Sequence, residues 1–149
     1  MTTAAPPRGP YSGLRVLDFT MFVSGPYCTR LMADMGAEVI KVEPTGGDFL
    51  RSSPPSRDGH SAYFGTMNAG KKSLALDLKQ PKARSAMHAL IATSDVLIEN
   101  FRPGVMARLE LDKDTAFKLK PDLIYCSVSG FGQDGPSANR ASYAPIVHA

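Results

Sequence analysis

Four segments of this 149-residue chain place chemically capable residues just after an apolar run. Thr20 to Gly25 (TMFVSG) follows Leu14 to Phe19, and Glu43 to Lys72 follows Glu38 to Val42. Asn100 to Gly104 (NFRPG) follows Asp95 to Glu99, and Ser129 to Pro136 follows Leu123 to Val128. In NFRPG, Asn100 both donates and accepts hydrogen bonds, Phe101 offers a stacking face, and Arg102 and Arg108 carry positive charge. Those parts suit a nucleotide bearing phosphates. They equally make an Asn-capped helix with solvated arginines, and the residues alone leave the two readings open. Lys71 and Lys72 follow Gly70; paired lysines ordinarily face water.

Other chemistries lack their residues. His60, His88 and His148 show no ligand spacing, and His88 falls off the apolar face of its helical pattern, as a surface residue would. No metal site is expected. There is no G-x-S-x-G elbow, and no carboxylate pair is marked by its context. Asp18, Glu43, Asp48, Glu99 and Asp134 all lie near strand ends, with nothing to select one. The first loop holds a single glycine, Gly25, where a dinucleotide fold carries G-x-G-x-x-G, so a backbone-cradled pyrophosphate is not expected there.

The elements that must position these loops follow from periodicity. Leu14 to Phe19 is a short strand, and Pro26 suits the first turn of a helix. Cys28, Leu31, Met32 and Met35 then share one helical face. Gly36 stands where a left-handed residue ends a helix, before a second strand from Glu38 to Val42. Strand, loop, helix, turn and strand within about thirty residues is a βαβ unit. The Gly- and Pro-rich stretch from Glu43 to Lys72 shows no period and is expected to be irregular. Ser73 to Leu78 alternates, with Leu74, Leu76 and Leu78 on one face. Pro81 opens a helix whose Ala83, Ala86, Met87, Leu90 and Ile91 share a face, and a short helix is expected from Pro103 to Arg108. Asp112 is an N-cap, with Leu111 and Ala116 placed as a hydrophobic staple. Leu123 to Val128 is a last apolar strand. Strands alternating with helices argue for an α/β fold, a parallel sheet with helices on both faces.

Composition sets outer bounds. Hydrophobic residues make up 43% and charged residues 21%, which suits a globular domain and not a disordered tail or a coiled coil. No apolar run approaches the ~18 residues of a membrane span, so no membrane association is expected. Lys and Arg total 17 against 14 Asp and Glu, a net charge of +3. This scattered excess suits an anionic ligand and does not argue for nucleic acid. Cys28 and Cys126 sit in apolar contexts and read as two buried thiols in a reducing cytoplasm. Residues 1–12, with Pro6, Pro7, Gly9 and Pro10, read as a flexible leader; they lack the apolar core of a secretory signal.

Four ordered blocks then carry a resemblance. They are Gly13 to Thr20 with Ser24-Gly25-Pro26 and Leu31 to Glu43 (LMADMGAEVIKVE), Asn68 to Lys79 (NAGKKSLALDLK), Ser94 to Gly104 (SDVLIENFRPG), and Leu123 to Pro136 (LIYCSVSGFGQDGP). Over residues 13–149 the chain resembles the class III CoA-transferases, the CaiB/BaiF family. The resemblance implies a Rossmann-like large domain, incomplete in this chain, that binds coenzyme A without the glycine fingerprint. It implies a parent more than twice this length, whose C-terminal part returns to complete the domain, and an interlocked homodimer. The substrates would be an acyl-CoA and a carboxylic acid.

By position, the resemblance implies CoA contacts at Phe22, Val23, Ser24, Lys72, Leu76, Asn100, Phe101 and Arg108, with Tyr143 near the active site. For Asn100, Phe101 and Arg108 it tips the open reading toward ligand contact. In the family's transferases an Asp attacks the acyl-CoA carbonyl and forms an anhydride, then an aspartyl-CoA thioester, which is covalent catalysis. That Asp would fall beyond Ala149, so the 149 residues alone are expected to be inactive and to expose apolar surface. Family members of the racemase type use a His where this chain has Tyr143, which speaks against α-proton exchange. Val23, Pro44 and Ala144 depart from the formyl-CoA transferase pattern, so a formyl- or oxalate-specific substrate is not expected. A stand-alone CoA-binding module, or an inactive truncated relic, is the alternative to a transferase portion.

Overall fold

The structure, a computed structural model, describes residues 9–143. Its elements run β1 (Arg15–Phe19), α1 (Ser24–Asp34), β2 (Glu38–Glu43), a 3-10 turn (Phe49–Ser52), β3 (Ser56–Arg57), β4 (His60–Ser61), α2 (Ala62–Asn68), β5 (Lys72–Ala75), α3 (Pro81–Ile91), β6 (Val96–Glu99), α4 (Val105–Arg108), α5 (Lys113–Leu119) and β7 (Ile124–Ser127). Five strands form one parallel sheet in the order β5-β2-β1-β6-β7. β1 lies at the centre, with Val16 opposite Val39 on one side and Val96 on the other. The chain moves outward first on one side of β1 and then on the other. Such a reversal opens a crevice beyond the carboxyl ends of the strands.

Alternation along the strands divides the core into two faces. Leu17, Phe19 and Leu97 pack with Met87 and Ile91 of α3, Met106 of α4 and Ala116 of α5. Val16, Val39, Val96 and Ile98 pack with Met32 and Ala33 of α1 on the opposite face. Leu17, Met87, Ile91 and Leu97 are fully buried, so truncating Leu97 to Ala would cost about 2–5 kcal/mol.

The parallel α/β architecture and most elements agree with the sequence. The Asp112 cap forms, its Oδ1 accepting from the amides of Asp114 and Thr115, and Leu111 and Ala116 are both fully buried. Gly36 ends α1 in a left-handed conformation, φ 100°, that other residues rarely adopt. Leu74, Leu76 and Leu78 do pack on one core face, although β5 ends at Ala75.

Several expectations are corrected. The α1 helix begins at Ser24, and it buries Gly25, Pro26 and Thr29 instead of the stripe through Cys28 and Leu31. Small residues let its first turn close onto the end of β1: a Cβ on Gly25 would lie 2.3 Å from Thr20 Cγ2. Cys28 and Cys126 are exposed free thiols, because Cys28 lies off that buried side and β7 is the sheet's edge strand. The stretch from Glu43 to Lys72 is not irregular; it holds the 3-10 turn, a small hairpin and α2. Asp48 and Ser61 cap its two helical pieces through side-chain bonds to Leu50 N and Phe64 N. His88 is half-buried, its Nε2 2.8 Å from the Glu110 carbonyl. Residues 9–12 are a turn docked on the end of α1 and not a loose leader, with Tyr11 N donating to the Met35 carbonyl. The expected leader before them lies outside the described residues.

Tyr27 and Leu31 on α1, Phe117 and Leu119 on α5, and Ile124 on β7 are exposed apolar residues. Among the described residues no helix is long and apolar enough to cross a membrane, and no cluster of three His, Cys, Asp or Glu is placed to hold a metal ion.

Candidate functional site

The carboxyl ends of β1 and β2 carry charge into the fold. Asp18 is fully buried on the α1 face of β1. Its Oδ1 accepts from the Thr20 amide at 2.9 Å and from the Thr20 hydroxyl. Its Oδ2 accepts from Thr29 Oγ1 at 2.6 Å and from Lys71 Nζ at 2.8 Å. Lys71 Nζ also donates to the Pro26 carbonyl and to Asn68 Oδ1, which uses all three of its protons. Burial pushes the Asp18 carboxyl up, but the Lys71 and Lys41 ammonium groups outweigh it and hold the group below its usual range. Burial pulls Lys71 below its ordinary value.

Lys41, inside β2 and 2% exposed, reaches the other way. Its Nζ donates to the Thr20 carbonyl at 2.8 Å and lies 2.8 Å from Asp48 Oδ2, in ion-pair contact without hydrogen-bond angles. Glu43, at the end of β2, takes Arg51 in a two-pronged pair at 2.7 and 2.6 Å, Ser73 Oγ at 2.6 Å and the Asp48 amide at 2.8 Å. Burial raises the Glu43 carboxyl, but these donors prevail and lower it to about 2. Arg51 also stacks over Phe64, 4.0 Å from the ring centre. Lys41 thereby ties the β1–α1 loop to the 3-10 turn, and Glu43 fixes that turn to the sheet.

Between these braces lies a cavity of about 450 Å³. Its walls are Phe19 to Met21 after β1, Lys41 to Thr45 and Asp48 around the end of β2, Leu76 to Lys79 after β5, Phe101 after β6, and Val105 and Leu109 of α4. An elongated ligand would meet mostly apolar walls, with Lys79 as a cation at its edge. Such a mix of apolar lining and few polar groups is usual for cofactor sites.

The expected site residues are placed unequally. Leu76 and Phe101 line the cavity. Asn100 is not among the cavity's walls and spends its amide on the β1–α1 loop: Oδ1 accepts from Met21 N at 2.8 Å and Nδ2 donates to Met21 O at 2.7 Å. Phe22 follows Met21 in a left-handed conformation, φ 66°, which costs about 1–3 kcal/mol in a non-glycine residue and persists only where its surroundings enforce it. Its ring packs 6.1 Å from Phe49 and edge-on, 6.4 Å, against Tyr143. Val23 and Ser24 are exposed beside Phe22, where α1 begins. Arg108 is exposed at the end of α4, one turn beyond Val105, with Nη1 3.4 Å from where a Gly104 Cβ would be.

Lys72 is not brought to the cavity. Its ammonium is paired with Glu38, which also holds Arg15, toward the amino ends of the strands. The preceding lysine, Lys71, turns inward instead. Lys71 was expected to face water with Lys72, and its burial against Asp18 corrects that; Lys41, Lys79 and Phe49 were not singled out from the sequence. A lysine within the apolar run Glu38 to Val42 was the available signal for Lys41, because a charge in an inner parallel strand must find a partner.

Comparison with known proteins decides the family. The model of CoA-transferase family III matches residues 11–149. The chain belongs to CoA-transferase family III. The relatives of this family III chain include the acetyl-CoA:oxalate CoA-transferase of Acetobacter aceti, 46% identical over 99% of this chain and 38% of that protein. Another is the succinate–glutarate CoA-transferase of Agrobacterium fabrum, 44% identical over 99% of this chain and 39% of the relative. A CAIB/BAIF family protein from Brucella suis superposes with a TM-score of 0.89 at 37% identity, over 94% of this chain and 38% of that structure. The family III chain thus spans about two fifths of the length of such relatives.

Proposed function

We propose that this chain is the CoA-binding portion of an acyl-CoA:carboxylate CoA-transferase. The observation that carries the reading is the 450 Å³ cavity at the carboxyl ends of β1, β2 and β6, edged by Lys79 and floored by Leu76 and Phe101. Phe101, Leu76 and Leu109 would hold the adenine and pantetheine by apolar contact. Lys79, with Arg108 on α4, would meet the phosphates as charge-assisted donors. Asn100 would act by fixing Met21, and so the loop bearing Phe22, Val23 and Ser24 along which the thioester would lie. Lys72, engaged by Glu38, has no part in this arrangement.

In the proposed reaction an Asp beyond Ala149 attacks the acyl-CoA carbonyl. Coenzyme A leaves as thiolate and an aspartyl anhydride forms. The thiolate then attacks the aspartyl carbonyl, releasing the first carboxylate and leaving an aspartyl-CoA thioester. The acceptor carboxylate attacks that thioester, expelling coenzyme A as thiolate and forming a second anhydride; the thiolate then attacks the acceptor's carbonyl, giving the new acyl-CoA and freeing the Asp carboxylate. The remainder of such an enzyme, and a second subunit in an interlocked dimer, would cover Tyr27, Leu31 and Ile124. The names of the relatives include oxalate, glutarate and, for a Mycobacterium tuberculosis relative 42% identical, fatty acyl groups, so the family alone does not choose the acyl group.

The test is to incubate the protein that carries this sequence with an acyl-CoA and an isotopically labelled carboxylate. Label appearing in a new acyl-CoA, with an enzyme-bound thioester trapped by hydroxylamine, is the expected result. Label that enters only by hydrolysis and free re-esterification, or α-proton exchange without transfer, overturns it.

A further inference from the structure

Three aromatic rings stand together, and two of them directly follow residues that line the cavity. Met21 lines the cavity and the next residue is Phe22; Asp48 lines it and the next residue is Phe49. Phe22 is the middle ring, packed on Phe49 and on Tyr143. Phe49 is 64% exposed, yet it is not on a loose loop. It starts a 3-10 turn capped by Asp48 and braced through Lys41 to Asp48 and through Arg51 to Glu43. An aromatic side chain held out on a braced turn, next in the chain to a wall of the cavity, is placed to meet something apolar. The nearby charges are already spent: Lys41 on Thr20 and Asp48, Arg51 on Glu43.

We propose that Phe49 is a specificity-determining residue: with Phe22 and Tyr143 it forms an apolar rim that takes a hydrocarbon acyl group of the bound CoA thioester, in preference to one ending in a carboxylate. This rests on the CoA-transferase reading above. The occupant is argued from adjacency, since Phe22 and Phe49 directly follow Met21 and Asp48 in the wall of the cavity assigned to coenzyme A.

The experiment is a titration of free coenzyme A, hexanoyl-CoA and succinyl-CoA into the protein that carries this sequence, repeated with Phe49→Ala and Phe49→Leu. Each buried methylene is worth about fourfold in affinity. Hexanoyl-CoA is therefore expected to bind about tenfold more tightly than succinyl-CoA. Phe49→Ala should bring hexanoyl-CoA to within about twofold of free coenzyme A and leave the affinity for coenzyme A unchanged, while Phe49→Leu keeps most of the preference. Should the Ala variant not fold, the Leu variant beside wild type carries the same comparison, with a partial loss of preference expected. Tighter binding of succinyl-CoA, or equal weakening of all three ligands, overturns the rim. So does a lowered melting temperature with unchanged selectivity, which would mean that Phe49 seats another part of the protein. A wild-type protein that binds none of the three defeats the CoA reading itself and this inference with it.

Discussion

Lys71 Nζ lies 2.8 Å from Asp18 Oδ2, with both side chains at most 1% exposed. A buried pair of this kind is weak evidence for net stability, but breaking it leaves a charge without water or partner. Asp18→Asn is therefore expected to destabilise the fold by about 3–5 kcal/mol, read by denaturant unfolding. Adding Lys71→Met should recover most of that loss. A double variant no more stable than Asp18→Asn alone would show that Asp18 acts chiefly through Thr20 and Thr29.

Glu43 gives a pH signature. Its carboxyl is near 2 in the folded protein against an ordinary 4.5. A lowered folded value means that its contribution is complete above pH 4.5 and is lost as the pH falls toward 2. With its partner Arg51 42% exposed, the contribution is on the order of 2 kcal/mol. Melting temperature measured across that window should fall more steeply in wild type than in Glu43→Gln, whose slope there should be shallower.

Asn100→Ala removes both partners of the Met21 peptide groups. A loss of about 1–3 kcal/mol is expected. Affinity for coenzyme A should weaken as well, because the β1–α1 loop is no longer fixed. Asn100→Asp keeps the acceptor for Met21 N but not the donor to Met21 O, so it should not restore either property. Calorimetric melting and ligand titration on the same samples check both.

Lys79→Ala is expected to weaken coenzyme A binding by roughly tenfold with little change in melting temperature, since one charge-assisted bond is lost from an exposed position. The effect should shrink as salt rises, because such charges are screened. An effect that persists unchanged at high salt would place Lys79 away from the phosphates.

The fold was legible because strands such as Leu14 to Phe19 and Asp95 to Glu99 are apolar enough to announce themselves, and because Gly36 and Asp112 mark helix ends by local chemistry. The face of α1 was not. Cys28 and Leu31 of its expected stripe point outward, Met32 packs inward, and the first turns are buried through Gly25, Pro26 and Thr29. That choice is made by Asp18 on a neighbouring strand, which no helical period records. The cavity was partly legible: Leu76 and Phe101, two of the residues singled out through the resemblance, are among its walls. The two lysines after Gly70 look alike in sequence, yet only the register of β5 against β2 sends Lys71 inward and Lys72 to Glu38. Phe49 was hidden in a Gly- and Pro-rich stretch whose order comes from ion pairs to β2, contacts distant enough in sequence to leave no local period.

The central claim is that the cavity at the carboxyl ends of β1, β2 and β6 holds coenzyme A. Titration of coenzyme A into wild type and into Leu76→Trp, a variant that fills the cavity from its wall, tests it most directly. The expected result is one-to-one binding by wild type and its loss in a variant that still melts cooperatively. Equal binding by both proteins would contradict it.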